Sequence, residues 1–369
     1  MLKRTRSFLV LVMLLMTVTM SAQVTTATMS GKVTAQDEPI IGATIVAIHE
    51  PSGTRYGTVT NVSGQFNLQG MRTGGPYKVE ISYVGYQTAI YKGINLLLGE
   101  NYVLNVSLKE SSELLDEVVV TASKESNMKS DRAGAIMNAN RDMISNTPTI
   151  SRSISDIMRL SPQGADVGNG FAVGGGNYRQ SFVTVDGAAF NNTFGLGGNL
   201  PANGSPISLD ALEQVTVAVT PFDVRQSGFT GGAINAVTRS GDNQFRGTAY
   251  MYFNNENLKG SKVDDYELLR SKAQYYTYGA SFGGPIIKDK LFFFVNGEYE
   301  DNVTAGSNYR PRTALGESYS GGNIHRPLQS DMDDMRGFLL NKYNFDPGKY
   351  NDYSTDTPAY RVMARVDWN

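Results

Sequence analysis

Four stretches in the last third of the chain alternate strictly between two kinds of side chain. They cover residues 245–253, 276–284, 291–300 and 360–368. In the last stretch, one face carries Tyr360, Val362 and Trp368, and the positions between them hold Arg361 and Arg365. Successive side chains of a strand point to opposite faces, so each stretch predicts a strand with one apolar and one polar face.

The alternation leaves two interpretations. A soluble sheet with one wet face gives the same local pattern. The connections favour a transmembrane β-barrel, because a longer connection after Asn254 is followed by a tight one at 285–290 and a very long one at 301–358. Short periplasmic turns alternate with long external loops in outer-membrane barrels, and aromatic residues mark their strand ends.

A sheet that faces lipid has to close on itself, because the bilayer offers no partners for orphan backbone groups. Four strands cannot close, since even the smallest natural barrels have about eight. We therefore expect residues 243–369 to be the first four strands of an incomplete barrel. The chain is then expected to be the amino-terminal portion of a longer protein that is interrupted after Asn369, and not to insert by itself.

The amino terminus predicts export from the cytoplasm. Basic residues at positions 3, 4 and 6 precede an apolar run over 8–16, and small residues ending at Ala22 follow. This is the pattern of a secretory signal peptide of residues 1–22, and the run is too short to span a bilayer. The chain has no cysteine and a formal net charge of −2, which excludes disulfides, thiolate sites and a basic field for nucleic acid.

Residues 23–110 read as seven short strands separated by Gly, Pro and Asn. Predicted strands include 42–48, 64–68, 77–83 and 102–108. Their spacing and alternation predict a small antiparallel β-sandwich. The two histidines, His49 and His325, lie far apart and outside any metal-ligand spacing. No metal, cofactor or catalytic constellation is therefore expected, and we do not expect an enzyme.

Residues 131–242 predict an α+β domain. Apolar residues at 150, 154, 157 and 158 recur at helical spacing, with Thr147 as a cap and Pro148 at the first position, which predicts a helix over 148–160. Strands are expected over 181–186 and 214–220, the first ending in an Asp-Gly turn and the second preceded by a short helix over 209–213.

Two glycine clusters lie within this domain, at 174–176 and 195–198. Neither matches the dinucleotide fingerprint or the phosphate-binding loop with its lysine. We expect these glycines to permit tight loops in a confined space rather than to bind a nucleotide.

An apolar, β-branched run occupies the position between these two domains. It consists of Asp116, Glu117, Val118, Val119, Val120, Thr121 and Ala122. One interpretation makes it the last strand of the preceding domain. The other makes it a strand without neighbours in its own chain, kept for the exposed sheet edge of a partner. In this interpretation 111–130 contains the strand and its flexible linker, which continues to about residue 130.

Particular residues resemble known families. Gly-Ala-Thr-Ile at 42–45, Gly-Thr-Val-Thr at 57–60 and Ile-Ser-Tyr-Val-Gly-Tyr at 81–86 resemble the carboxypeptidase regulatory-like domain. The plug of TonB-dependent outer-membrane receptors is resembled by Val-Thr-Val-Asp-Gly at 183–187, by 209–219 with Pro221, and by Gly228 with the stretches 231–235 and 237–241. The hairpin at 282–294 resembles that of the Oar-like subgroup, although 221–225 replaces the commoner lysine-glycine-proline turn of the family.

The resemblance implies an importer in the outer membrane of a Gram-negative bacterium, with its N-terminal domain in the periplasm. In this frame residues 116–122 fall where the family carries its TonB box, which implies strand addition to TonB and its inner-membrane energising complex. It implies transport of an unknown ligand without catalysis, contact with outer-membrane lipid, and in some relatives a surface lipoprotein partner.

Ligand contacts are expected on the outward face of the plug. The candidates are Tyr178, Arg179, Phe190, Asn191, Asn192 and Phe194. The same residues would also serve as packing and turn residues of confined loops. For two basic residues of the plug, Arg225 and Arg239, we expect hydrogen bonds to the barrel wall instead of contacts with a ligand.

Other functions are compatible with the pattern. One is a secreted or surface adhesion or scaffold protein made of β domains, with residues 301–358 as its contact surface. Within the receptor class, a SusC-like glycan importer is the alternative to the Oar-like branch. A hydrolase accessory protein has no catalytic constellation to support it.

Overall fold

The structure, a computed structural model, describes most of the chain. It covers residues 25–110, 118–121, 136–149, 152–167, 170–191, 200, 206–219, 231–258, 260, 262–264, 266–267, 272–306, 309–318, 324–350 and 353–369. The predicted signal peptide lies outside the described residues. The described part divides into two compact units, one containing residues up to Gly247 with Ser281–Asn296 and Met363–Asn369, the other containing Thr248–Ala280 and Gly297–Val362.

The first domain is the predicted β-sandwich. Its strands are β1 (Ala27–Ala35), β2 (Glu38–Pro39), β3 (Thr44–His49), β4 (Thr54–Val59), β5 (Gln65–Met71), β6 (Gly74–Ser82), β7 (Ala89–Leu96), β8 (Asn101–Val103) and β9 (Val106–Ser107). One sheet has the order β2-β1-β5, with β8 and β9 also on β1, and the other contains β7-β6-β3-β4. Tyr77, Val79 and Ile81 of β6 are buried between the sheets.

The sandwich has nine strands where the sequence predicts seven, and the predicted strand over 102–108 is divided in two. Both halves pair in parallel with β1. Between them the side chain of Asn105 accepts a hydrogen bond from the backbone of Lys32 (3.0 Å), in place of a backbone group. At Gly31 the chains approach so closely that a Cβ atom would lie 1.8 Å from the carbonyl oxygen of Leu104.

A histidine lies at the edge of the sandwich core. His49 is buried, its Nδ1 lies 2.7 Å from the hydroxyl of Ser52, and its ring centroid lies 4.9 Å from that of Tyr77. Burial, and secondly the charge of Arg72, lower the pKa of His49 from 6.5 to about 4. The imidazole is therefore neutral in the folded sandwich near neutral pH.

We expect acid to destabilise the sandwich through His49. In the unfolded chain His49 is protonated below about pH 6.5, whereas in the folded sandwich it is protonated only below about pH 4. The stabilisation is complete above pH 6.5 and is lost as the pH falls towards 4. Between pH 7 and 4.5 the contribution of His49 to the free energy of unfolding falls by about 2–3 kcal/mol. Pulse proteolysis in urea should show a weaker pH dependence in His49→Gln, and equal dependence in both proteins would contradict the prediction.

The second domain has a mixed sheet with two short helices. Its elements are β11 (Ile136–Asn140), α1 (Arg141–Asn146), α2 (Ile154–Met158), β12 (Gly164–Asp166), β13 (Phe171–Val173), β14 (Phe182–Val185), β15 (Ala188–Ala189), β16 (Leu212–Ala218) and β17 (Ala233–Thr238). The sheet order is β11-β16-β17-β14-β15. The predicted Asp-Gly turn joins β14 to β15, with positive φ at Asp186 and Gly187, as a two-residue hairpin turn requires.

The predicted helix over 148–160 is confirmed only over Ile154–Met158 (α2), and its predicted start at Thr147 and Pro148 is wrong. α1 begins earlier, because the side chain of Asn140 accepts a hydrogen bond from the backbone of Met143. Thr147, expected as the first cap, instead ends this helix in an extended conformation, as is typical of a residue before proline. α2 begins only after Ser153, whose backbone donates to Asp156. The short helix expected over 209–213 is a 3₁₀ turn over Leu209–Ala211.

The remaining elements include the four predicted long strands. They are β18 (Arg246–Asn255), β19 (Lys262–Val263), β20 (Tyr266–Glu267), β21 (Ala273–Ile287), β22 (Leu291–Ala305), β23 (Arg310–Arg312), β24 (Ile324–Leu328), α3 (Gln329–Tyr343) and β25 (Ser354–Trp368). The four long strands pair in the order β18-β21-β22-β25 and do not close into a barrel. The connection at 301–358 contains α3, which the sequence analysis does not predict.

The alternating stretches expose their apolar side. In β25, Tyr360, Val362 and Trp368 are 76%, 87% and 71% exposed, whereas Arg361 between them is 5% exposed. Arg361 contacts Glu298 (2.9 Å) and Glu300 (2.7 Å) of β22. Where β25 meets β22 around Arg361, the covered side of the sheet is therefore polar and the open side apolar, the reverse of a soluble sheet. Earlier in β22, Phe292 and Phe294 are buried on that same covered side. Among the described residues, no helix is long and apolar enough to cross a membrane.

Candidate functional site

The run between the first two domains forms a strand on the sandwich. Residues Val118–Thr121, named β10, pair in parallel with β7, with Val118 opposite Ala89 and Thr121 opposite Lys92. β10 is the outermost strand of a sheet with the order β10-β7-β6-β3-β4. The expectation that this run has no strand neighbours in its own chain is therefore wrong for these four residues. Asp116, Glu117 and Ala122 lie outside the described residues.

The pairing follows from the open side of β7. β7 pairs with β6 on one side, and without β10 its other side would be the edge of the sheet. An edge strand presents a row of backbone donors and acceptors, which a second extended segment can satisfy. β10 has four residues and one strand neighbour. Each backbone hydrogen bond contributes about 0.5–1.5 kcal/mol net, so β10 is held weakly compared with an interior strand.

The candidate ligand residues lie in two loops of the second domain. Tyr178 and Arg179 are in a 3₁₀ turn capped by Asn177, and the guanidinium of Arg179 lies 5.5 Å from the ring centroid of Tyr178. Phe190 packs against the domain core. The amide of Asn191 accepts from the backbone of Val183 (2.6 Å) and donates to the carbonyl of Ser181 (2.7 Å).

These contacts give Phe190 and Asn191 the packing and turn roles that the sequence left open. Ligand binding by Tyr178, Arg179, Phe190 and Asn191 stays a prediction. Asn192 and Phe194 lie outside the described residues.

A buried amide joins the sandwich to the second domain. Gln214 of β16 is 2% exposed. Its Oε1 accepts from the backbone N–H of Leu98 (2.8 Å), and its Nε2 donates to the carbonyl of Leu96 at the end of β7 (3.2 Å). Asn138 of the neighbouring strand β11 donates to Glu100 (2.5 Å). The side chain of Gln214 thus reproduces the hydrogen bonding of a strand neighbour at the end of β7.

A guanidinium joins the second domain to β25. Nη1 of Arg365 donates to the carbonyl of Thr238 (2.8 Å) and lies 3.5 Å from the carboxylate of Asp186. The same carboxylate accepts a hydrogen bond from the backbone N–H of Thr238 (2.9 Å). Nη2 of Arg365 pairs with Asp367 (2.9 Å), which lies 3.6 Å from Arg72 of the sandwich. This network connects the sandwich, the second domain and the end of β25.

Arg239 forms the contact with the long strands that the sequence suggests for it. Its Nη1 lies 3.4 Å from the hydroxyl of Ser281 in β21, and its guanidinium lies 4.7 Å from the ring centroid of Phe294 in β22. Asp210 lies 3.6 Å from the same guanidinium. Arg225 lies outside the described residues.

A cavity of about 910 Å³ lies among these contacts. Its lining includes Arg72, Glu213, Arg239 and Arg365. Burial raises the pKa of the Glu213 carboxyl above its usual value, although nearby arginines act in the opposite direction. The wall carries both signs of charge, and the arginines named here pair with carboxylates of the chain itself.

The sequence analysis did not identify Gln214 or Arg365 as contact residues. A signal exists for Gln214, because it is a polar residue within an apolar strand, between Leu212 and Val215. Arg365 lies on the polar side of an alternating stretch, where nothing local distinguishes it from Arg361.

We expect Gln214→Leu to loosen the joint between the sandwich and the second domain. The substitution leaves the N–H of Leu98 and the carbonyl of Leu96 buried without these partners, which costs about 1–3 kcal/mol for each such group. Hydrogen exchange of the amide of Leu98 should become faster, with little change in β3. Gln65→Leu, at an exposed position of β5, is the matched control. Unchanged exchange at Leu98 would contradict the role given to Gln214.

Comparison with known proteins gives two family matches. The carboxypeptidase regulatory-like domain matches residues 28–109, and an outer membrane beta barrel domain matches residues 237–351. The predicted domain boundaries at 22, 110, 130 and 242 stay predictions.

Two characterised relatives are similar to the chain. The TonB-dependent transporter Oar of Myxococcus xanthus is 26% identical over 225 residues, which cover 59% of this chain and 20% of Oar. The TonB-dependent receptor SusC of Bacteroides thetaiotaomicron is 29% identical over 269 residues, which cover 69% of this chain and 24% of SusC. The chain thus spans less than a quarter of the length of either relative.

Among solved structures, the outer membrane transporter YddB from Escherichia coli aligns with a TM-score of 0.40 and 14% identity, over 50% of this chain and 28% of that chain. The siderophore receptor PirA from Pseudomonas aeruginosa aligns with a TM-score of 0.35 and 17% identity, over 47% of this chain and 30% of that chain.

Proposed function

Because the chain is homologous to TonB-dependent transporters and combines a carboxypeptidase regulatory-like domain with part of an outer-membrane β-barrel domain, we propose that the whole protein imports a ligand across the outer membrane of a Gram-negative bacterium with energy from TonB. In this proposal the ligand is carried unchanged, so the protein is a transporter and not an enzyme. The sandwich lies in the periplasm.

The observation that carries the proposal is the apolar open side of the four long strands. Phe245, Met251, Phe253, Val362 and Trp368 are large and exposed there. A soluble adhesion or scaffold protein would place such residues against a core, and a contiguous apolar surface of this kind is typical of an interaction site or a lipid-facing wall. The buried cluster of Arg361, Glu298 and Glu300 on the other side fits the polar interior of a barrel.

The proposed contact with TonB is made by residues 116–122. Strand addition uses backbone hydrogen bonds for affinity and alternate side chains for specificity. The β conformation of residues 118–121 supports this mode, because the segment already adopts the geometry that strand addition needs. The unknown ligand, outer-membrane lipid and the inner-membrane complex of TonB are the other proposed partners.

Two branches of the family remain candidates for the ligand. The hairpin at 282–294 favours an Oar-like transporter. The longer match with SusC favours a SusC-like importer that works with a surface lipoprotein. Genes adjacent to the coding sequence discriminate between them, because a lipoprotein gene next to it is expected only for the second branch.

We expect deletion of residues 116–122 from the full-length protein to abolish energised uptake and capture by the periplasmic domain of TonB. The deletion removes the backbone groups that strand addition requires. Ligand binding at the cell surface should persist. Deletion of residues 123–129, which shortens the linker equally and keeps the box, is the control. Uptake that survives loss of 116–122 would refute the assignment.

We expect Val362→Arg to destabilise the barrel of the full-length protein in lipid. An arginine on the lipid side costs about 2–4 kcal/mol at the bilayer midplane. Unfolding in urea from lipid vesicles measures the change. Asp356→Arg, at an exposed charged position near the start of β25, should cost much less. Equal effects of the two substitutions would argue for a soluble sheet.

A further inference from the structure

The outer edge of β7 holds residues that the proposed function assigns to TonB. β7 is bonded on one side to β6, with Val79 opposite Tyr91, and on the other side to β10, with Val120 opposite the same Tyr91. The sandwich therefore provides a complete strand neighbour for the central part of the box.

We infer that the outer edge of β7 is a binding site for the box and that TonB competes with the sandwich for this strand. The inference rests on the proposed function, since it names a second partner for the same residues. It assigns a role to the first domain: the sandwich sets the fraction of the protein in which residues 116–122 are free to bind TonB.

The geometry of a strand favours competition over simultaneous binding. The backbone N–H and C=O of one residue point to the same side of a strand, and those of the next residue point to the other side. In a docked segment of four residues, two residues therefore face β7 and two face outward. A box bound to β7 offers TonB the groups of only these two outward residues within 118–121, whereas a released box offers either side of its whole length.

The connection to the second domain favours release as well. The chain continues from the box to β11, through which a pull by TonB reaches the second domain. While residues 118–121 stay on β7, the sandwich carries part of the pulling force. The end of β7 is in turn bonded to the second domain through Gln214. Release of the box directs the pull into the linker alone.

Competition makes the apparent affinity for TonB depend on the free fraction of the box. The apparent dissociation constant equals the intrinsic one divided by the fraction in the competent state. A box that is docked about nine-tenths of the time binds TonB about tenfold more weakly than a free box.

A reversible cross-link tests the inference in the full-length protein. The chain has no cysteine, and Lys92 and Thr121 are directly opposite in the parallel register. Adjacent strands lie about 4.8 Å apart, within the range that a disulfide bridges. Lys92→Cys with Thr121→Cys is therefore expected to form a disulfide on mild oxidation, detected by mass spectrometry of the peptides.

Binding of the purified periplasmic domain of TonB is then measured before and after reduction. We expect the oxidised protein to bind at least tenfold more weakly than the reduced protein. Thr44→Cys with Val59→Cys, opposite residues of β3 and β4 at the other edge of the same sheet, is the matched control. Its oxidation should leave the binding of TonB unchanged.

A misaligned pair tests the register. In Lys92→Cys with Val118→Cys the two residues are three positions out of register, about 10 Å apart along the strand, so little disulfide is expected. Efficient cross-linking of this pair and not of the aligned one would overturn the inference. So would equal binding of TonB by the oxidised and reduced forms of the aligned pair, because TonB would then add to the outward side of β10.

The unmodified protein gives an independent measurement. Addition of the TonB domain should accelerate hydrogen exchange at amides of residues 89–92 that face β10, because the edge of β7 loses its neighbour. Slower or unchanged exchange there, at saturating TonB, would contradict competition. If the unmodified protein does not bind the TonB domain at all, the proposed function fails, whereas cross-linking of the aligned pair still reports separately whether β7 holds the box.

Discussion

Backbone donors and acceptors at the edge of a sheet need partners, and this requirement organises the described part of the molecule. Water, a second strand or a polar side chain can satisfy them, whereas hydrocarbon cannot. On the sandwich, β7 obtains a strand neighbour in β10. At the end of the same strand, the side-chain amide of Gln214 forms the hydrogen bonds that a strand neighbour would otherwise form. In the proposed barrel, the four long strands face lipid, where closure of the sheet is the only complete solution.

Charged side chains act at the places where one part of the first compact unit meets another. Arg365 contacts Asp186 and Thr238 of the second domain, and Asp367 lies beside both Arg365 and Arg72 of the sandwich. These groups are half-buried, so each pair contributes modestly and remains sensitive to salt. In the proposed transporter, such contacts hold the resting arrangement without making its rearrangement prohibitive, which suits a plug that has to move once in each cycle.

The sequence predicts most reliably what depends on local period. The alternation over 245–253 and 360–368 survives in β18 and β25, because a strand fixes the two faces of its own residues irrespective of its neighbours. The Asp-Gly turn at 186–187 is equally local. The helix expected over 148–160 forms only over Ile154–Met158, because Thr147 ends the preceding helix in an extended conformation and the next helix begins after Ser153. The apolar spacing alone does not show where a helix begins.

Other features depend on residues that are distant in the sequence. Nothing local in 118–121 indicates that β7 has an open side, nor that Gln214 lies next to Leu98. α3 was not predicted because none of its residues is buried in the described structure, so it lacks the apolar stripe by which amphipathic helices are recognised. The ligand candidates Tyr178 and Arg179 are similarly placed by loop geometry, which periodicity does not describe.

The edge position of β10 has a mechanical consequence. A load applied perpendicular to the sheet edge detaches such a strand by unzipping, so that its hydrogen bonds rupture in succession. A load applied along its axis shears it, and all the bonds resist together. The force needed to detach this segment therefore depends on direction. In the proposed transporter, the direction in which TonB pulls governs the tension at which β10 leaves its sheet.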